Sequence, residues 1–146
     1  MVVIQNPVND SSINEQNLID TLQSMITDLS LEASELLIRI VDIAEIQYLN
    51  KTYREQDKPT NVLSFPSDLP KEINAAILGD VVICSAVVRK EAEAQNKTFD
   101  HHLIHMAVHG TLHLLGYDHI EEGEAEAMEA LEIKILHGLK ICNPYQ

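Results

Sequence analysis

The chain has 146 residues and a mass of 16.4 kDa, a size typical of one compact domain, and its 45% hydrophobic and 23% charged residues exclude an intrinsically disordered chain. Ten Lys and Arg stand against 23 Asp and Glu, so the net charge is −13 and the surface as a whole repels nucleic acids and acidic membranes. Any contact with RNA or phosphate therefore requires a local positive site, and DNA is not an expected partner.

Cysteine usage and hydropathy bear on the compartment. The chain has two cysteines, Cys84 and Cys142, and no Cys-x-x-Cys pair, so neither a disulfide framework nor a cysteine metal site is expected. The first residues lack the basic start and apolar core of a signal peptide, and no apolar run reaches the length of about 18 residues that a membrane span needs. We expect a cytoplasmic protein that does not contact membranes.

Strands and helices alternate in the first part of the chain. The predicted elements, in order, are a strand at Val2–Gln5, a helix after the capping box Ser12–Glu15, a strand at Leu36–Ile43, a helix ending near Arg54, and strands at Asn61–Phe65 and Ile77–Cys84. The run Leu36–Ile43 is apolar and β-branched at nearly every position, which is typical of a strand covered on both faces. Arg39 interrupts this run, and we expect its side chain to reach solvent.

From Ser85 onward the sequence predicts helices only. Ser85–Asn96 forms the first, and Asp100 caps the next, His101–Leu115, which is apolar almost all round as a central buried helix would be. A last helix runs from about Glu121 to His137, and its glutamates at 121, 122, 124, 126, 129 and 132 predict a solvated face. The pattern predicts a single α+β domain over residues 1–146, in which helices pack a small mixed β-sheet around the histidine-bearing helix.

Histidines on the central helix predict a metal site. His109 and His113 are separated by four residues, so their imidazoles lie one turn apart and can share one ion. Gly116 can end the helix in a left-handed turn that brings His119 back as a third ligand. Three imidazoles leave a fourth position open for water, as in a catalytic zinc site, and such a site also accepts nickel, cobalt or iron.

Three further polar residues are candidates for supporting this site. His105 lies one turn before His109 and is expected to contact a ligand or to pack, whereas His101 and His102 are expected to be solvated. Asp118 adjoins His119 and either orients an imidazole or caps a turn. Asp80 interrupts an apolar strand, and its carboxylate either ends the strand or faces the site.

The histidine spacing is that of the metzincin proteases, with one departure. Those enzymes carry Glu directly after the first His as their general base, and this chain has Gly110 there. Loss of such a base typically lowers the rate by about 10²–10⁴-fold, which argues against a peptidase.

Positive charge is concentrated before the strand at Asn61–Phe65. Lys51, Arg54 and Lys58 lie around the end of the second helix. They either form an anion site, in which the planar guanidinium matches phosphate oxygens, or are a solvated helix C-terminus, where cations are favoured in any case.

Four segments carry a family resemblance. His109–His119, Leu49–Arg54, Thr60–Pro66 and Leu78–Ile83 resemble the YbeY family of bacterial zinc-dependent endoribonucleases that act in ribosomal RNA maturation. The resemblance implies that His109, His113 and His119 bind one zinc ion and that Arg54 is the catalytic residue outside the ligand set. Many members have Asp where this chain has Asn61, so one candidate acid–base group is absent.

The resemblance also implies a function. It implies cleavage of single-stranded RNA, maturation of the 3′ end of small-subunit ribosomal RNA, a part in ribosome biogenesis and quality control, and contact with the small subunit or its assembly factors. Two alternatives stay open: a non-catalytic, metal-stabilised ribosome-assembly factor and, disfavoured by Gly110, a zinc peptidase.

Overall fold

The computed structural model describes residues 1–31, 33–66, 77–115 and 122–138, the last of these with side chains from residue 126 onward. The strands are β1 (Val2–Gln5), β2 (Glu35–Val41), β3 (Val62–Pro66) and β4 (Ile77–Cys84). The helices are α1 (Glu15–Asp28), α2 (Ile43–Arg54), α3 (Ser85–Ala94), α4 (Phe99–Leu114) and α5 (Glu122–Gly138).

The four strands form one mixed sheet in the order β1-β2-β4-β3. β2 pairs in parallel with both β1 and β4, whereas β3 runs antiparallel to β4 along the edge. β2 contributes residues to apolar clusters on both faces of the sheet, which explains its apolar, β-branched sequence. The predicted α+β class with a small mixed sheet is confirmed.

Helices cover both faces of the sheet. Alternate residues of β2 and β4, such as Ile38 and Val81, point into the larger apolar cluster, which α1, α3, α4 and α5 also line. Their neighbours in the strands, such as Val41 and Val82, point into a smaller cluster under α2. The histidine helix α4 and the helix α2, which ends at Arg54, therefore lie on opposite faces.

α4 is the central buried helix that the sequence predicted. Every residue from His102 to Val108 is buried, which accounts for the lack of a polar face in this helix. In the described part of the chain, no helix is both long and apolar enough to cross a membrane.

Three helices begin at residues other than the predicted ones, and in each case the N-cap side chain explains the difference. α1 begins after Asn14, which accepts a hydrogen bond from the Asn17 backbone N–H, rather than at the start of the predicted capping box. β2 ends at Val41 because Asp42 caps α2. Thr98, not Asp100, caps α4, since its hydroxyl oxygen accepts from the His101 N–H. Each cap satisfies a backbone donor that the helix itself leaves unpaired.

We expect Gly79→Ala to destabilise the fold. Gly79 has φ +136°, which disfavours any other residue, and a Cβ there would collide with the Phe65 carbonyl oxygen and lie 3.1 Å from Leu114 Cδ2. Backbone strain of this kind costs about 1–3 kcal/mol, so urea denaturation should give a correspondingly lower free energy of unfolding. Gly138→Ala is the control, because no atom of the described residues lies within 4 Å of its added Cβ. Equal stability of the two variants would contradict the expectation.

Candidate metal centre

α4 brings two of the predicted ligands to one point. The Nε2 atoms of His109 and His113 lie 3.1 Å apart, and both side chains are partly exposed. Two nitrogen ligands at 2.0–2.1 Å from a tetrahedral zinc ion are separated by about 3.3 Å. The spacing of the two imidazoles therefore fits a shared metal ion with access to solvent.

A buried carboxylate lies behind these histidines. Glu132 of α5 is fully buried, and its Oε1 lies 3.1 Å from His109 Nδ1 and 2.6 Å from His105 Nε2. The predicted solvated face of the last helix is thus wrong at this position, although Glu126 is exposed. Burial of a carboxylate is tolerated here because two imidazoles pair with it.

Two donor sets overlap at His109. His105, His109 and Glu132 form a group that could hold a metal ion, because one ligand atom from each lies within 4.8 Å of the others. However, the 2.6 Å between Glu132 Oε1 and His105 Nε2 is a hydrogen-bond distance, too short for two ligands of one tetrahedral ion. If Nδ1 of His109 carries the proton and donates it to Glu132, Nε2 carries the lone pair. That Nε2 atom faces His113 and can bind a metal ion. Glu132 is therefore better placed to orient a ligand than to be one.

The remaining predicted site residues lie in different places. His105 contacts Glu132 and so lies directly behind the pair of histidines. Arg54 is exposed on the last turn of α2, across the sheet from α4. Asp80 is exposed on β4 and lines a cavity on the α2 face, so the structure does not bring it to the histidines. His119 and Asp118 lie outside the described residues, as does the turn at Gly116, and the third ligand stays a prediction.

Gly110 faces the sheet instead of the site. Its carbonyl oxygen accepts a hydrogen bond of 2.7 Å from the Ser64 hydroxyl of β3. A Cβ at this position would lie 2.7 Å from Val81 Cγ1 and 3.0 Å from Val62 Cγ2. A glutamate side chain has no room there without repacking of both strands, so the absence of the protease base has a structural cause.

A second polar network ties the edge strand to α3 and α4. Asn61 Nδ2 donates to both oxygens of Glu91, at 3.1 and 3.3 Å, and His102 Nε2 lies 3.0 Å from Glu91 Oε1. An amide donor suits this place, since Asp at residue 61 would put two carboxylates side by side. His102 is only 3% exposed, and its predicted solvation is therefore wrong.

Burial controls the protonation of His102. Desolvation lowers the pKa of His102 from its ordinary value, while the hydrogen bond and charge of Glu91 act in the opposite direction with a smaller effect. The folded protein therefore favours the neutral imidazole.

We expect Glu132→Gln to weaken metal binding. The amide lacks the negative charge that holds the Nδ1 proton of His109, and loss of such an outer partner typically costs about 10–100-fold in metal affinity. Competition with a chromophoric chelator would measure the affinity, and circular dichroism would check the fold. Glu126→Gln makes the same charge change on the exposed part of α5 and should bind metal normally. Equal affinities for the two variants would exclude the orienting role.

The His102 pKa predicts how stability depends on pH. As the pH falls below about 6.5, the unfolded chain binds a proton at His102 that the folded chain resists, so the free energy of unfolding decreases. In His102→Gln this contribution is absent, and the amide can still donate to Glu91. The loss of stability between neutral and mildly acidic pH, followed by urea denaturation, should therefore be smaller than in the wild type. A loss of the same size would show that His102 is not the group responsible.

Comparisons with known proteins point to one family. The family model described as Endoribonuclease YbeY matches residues 3–140. A relative named Endoribonuclease YbeY from Ruthia magnifica is 63% identical over 145 residues, which cover 99% of this chain and 100% of the relative. The protein of the same name from Vesicomyosocius okutanii is 59% identical over the same shares of both chains.

A solved structure resembles the whole fold. The solution structure of TM1509 from Thermotoga maritima matches with a TM-score of 0.63 and 27% identity, covering 96% of this chain and 92% of that one. The matched family and relatives confirm the resemblance that the sequence indicated and the predicted class of enzyme, a nuclease. With the family model spanning nearly the full length and the curated relatives sharing well over half of their residues, the chain belongs to the Endoribonuclease YbeY family.

Proposed function

We propose that this protein is a single-strand-specific endoribonuclease whose activity depends on one zinc ion held by His109, His113 and His119. The observation that carries the proposal is the convergence of two imidazole Nε2 atoms 3.1 Å apart in front of a buried carboxylate. A zinc ion bound there supplies a Lewis acid and an activated water for hydrolysis of a phosphodiester bond. Nickel, cobalt and iron are other ions that such a donor set accepts.

The protein's own residues would hold and orient these groups. Glu132 would keep a proton of His109 on Nδ1, which lies 3.1 Å from its Oε1, and His105 Nε2 lies 2.6 Å from the same oxygen. Asp118, next to His119 in sequence, would orient that imidazole in the same way. By the resemblance to the family, Arg54 would stabilise the negative charge that develops on the phosphoryl oxygens. Its guanidinium is exposed and makes no ion pair among the described residues.

The proposed substrate is ribosomal RNA. Both curated relatives carry the name endoribonuclease, and the resemblance to the family implies the 3′ end of small-subunit ribosomal RNA, in ribosome biogenesis and quality control. A net charge of −13 repels free RNA, which favours presentation of the substrate by the small subunit or an assembly factor. The cytoplasm is the compartment in which such a substrate would be met.

The two alternative functions that the sequence left open have less support. A zinc peptidase would need a base next to the first histidine, and the packing of Gly110 against Val81 and Val62 leaves no space for it. A metal-stabilised assembly factor without chemistry would share the centre but would not need Arg54. Cleavage of RNA that depends on Arg54 would therefore distinguish the nuclease from the assembly factor.

The test uses metal-loaded protein with single-stranded RNA, duplex RNA and casein. We expect endonucleolytic cleavage of single-stranded RNA only, and a loss of about 100-fold or more in Arg54→Ala and in His113→Ala. Lys90→Ala removes an exposed positive charge from α3 and should cleave normally. Full cleavage by Arg54→Ala would contradict the catalytic role of Arg54. Digestion of casein without cleavage of RNA would identify a peptidase.

A further inference from the structure

A cavity of about 580 Å³ opens on the face of the sheet that α2 covers. Its lining includes Arg39, Glu45, Tyr48, Tyr53, Phe65 and Asp80, and we call it the α2 cavity. Its volume lies within the range of roughly 300–1,000 Å³ that small-ligand sites occupy. Of the predicted metal ligands that the structure describes, neither His109 nor His113 lines it.

Aromatic side chains are concentrated in the α2 cavity. The chain has four Tyr, two Phe and no Trp, and three of the four such rings that the structure describes line this one cavity. Tyr48 and Tyr53 are 66% and 65% exposed, so core packing does not explain them. Tyr53 meets Phe65 at an interplanar angle of 71° with ring centroids 5.1 Å apart, which restricts the ring while most of the Tyr53 residue stays exposed. Exposed rings held in this way are a platform on which a flat aromatic ligand can stack.

The charges of the α2 cavity favour a neutral ligand with hydrogen-bond donors. Arg39 pairs with Glu45 at 3.2 Å, which leaves the carboxylate of Asp80 as the excess charge among these lining residues. Asp80 has no hydrogen-bond or ion-pair partner among the described residues. A phosphate group would be repelled here, whereas an amino group of a nucleobase would find an acceptor.

The α2 cavity lies at the end of the sheet nearest to the last turn of α4. Gly79 lines the cavity, and a Cβ placed on it would lie 3.1 Å from Cδ2 of Leu114, the residue after His113. Arg54 directly follows Tyr53 on α2. One single strand can therefore have a base in the cavity and its phosphates near Arg54.

We propose that the α2 cavity binds a base of the single-stranded RNA substrate, stacked on Tyr48 and Tyr53 and hydrogen-bonded through its amino group to Asp80. This inference rests on the proposed function. It adds a preference: cytosine presents an amino group where uracil presents a carbonyl oxygen, so cytosine is favoured at this position although the two rings stack alike.

The first experiment tests stacking. Fluorescence anisotropy of labelled 2′-O-methyl oligocytidine, checked by electrophoresis to stay intact, reports binding to the metal-loaded full-length protein. Tyr48→Ala should bind about five-fold or more weakly, and Tyr48→Phe, which keeps the ring, should bind like the wild type. Ile43→Ala is the matched control, since it removes an exposed apolar side chain from the first turn of the same helix and should have no effect. Normal binding by Tyr48→Ala would overturn the proposal.

The second experiment tests the acceptor. Wild-type protein should bind oligocytidine roughly five-fold more tightly than oligouridine, and Asp80→Ala should bind the two alike. The ratio cancels any general change in affinity caused by removal of a negative charge. A ratio that is unchanged in Asp80→Ala, or that equals one in the wild type, would overturn the assignment of Asp80.

Failure of this proposal can be told apart from failure of the proposed function. If wild-type protein cleaves RNA while Tyr48→Ala binds and cleaves normally, the nuclease stands and the base site is wrong. If an arginine-rich peptide binds in a manner that needs Tyr48 and Asp80 while no oligonucleotide does, the cavity is a protein-docking site and the base site is again wrong. Base binding that needs Tyr48 and Asp80, in a protein that cleaves no RNA, would support the site and overturn the nuclease.

Discussion

The pairing of one buried carboxylate with two imidazoles underlies the arrangement of the site. Glu132 has no solvent exposure, and the contacts of His105 and His109 with the same oxygen offset the cost of burying its charge. The contact joins α5 to α4, so the same interaction that stabilises the packing of the last helix also orients His109. As a result, Nε2 of His109 faces His113 on the side that solvent reaches.

The packing of α4 against the edge of the sheet determines which chemistry the centre can host. Gly110 brings the helix close to β3 and β4, and the Ser64 hydroxyl fixes its carbonyl oxygen. The position that holds the general base in metzincin proteases is thereby used for helix–sheet contact. The shared histidine spacing therefore does not imply a shared reaction, because the neighbouring residue faces the sheet here instead of a substrate.

An acidic protein that acts on RNA must rely on short-range recognition. The net charge of −13 gives no long-range attraction, so affinity has to come from a local cation such as Arg54, from stacking, or from a partner that presents the substrate. The α2 cavity, with its exposed tyrosines, offers stacking surface in a chain that has few aromatic residues. Under the two proposals, the metal ion binds at α4 on one face of the sheet and the RNA base binds in the α2 cavity on the other face.

Local signals in the sequence determined the order of the elements, the α+β class and the buried nature of α4. They also determined that His109 and His113 lie side by side. Periodicity and the four-residue separation of these histidines act within one element, so the sequence alone reveals them. Tertiary structure alone decided the burial of Glu132 and of His102. In the sequence Glu132 resembles Glu126, which is exposed, and only the packing of α5 on His105, 27 residues earlier in the chain, distinguishes the two. Likewise, the partner of His102 lies on the preceding helix, and pairs between elements leave no periodic pattern from which to predict them.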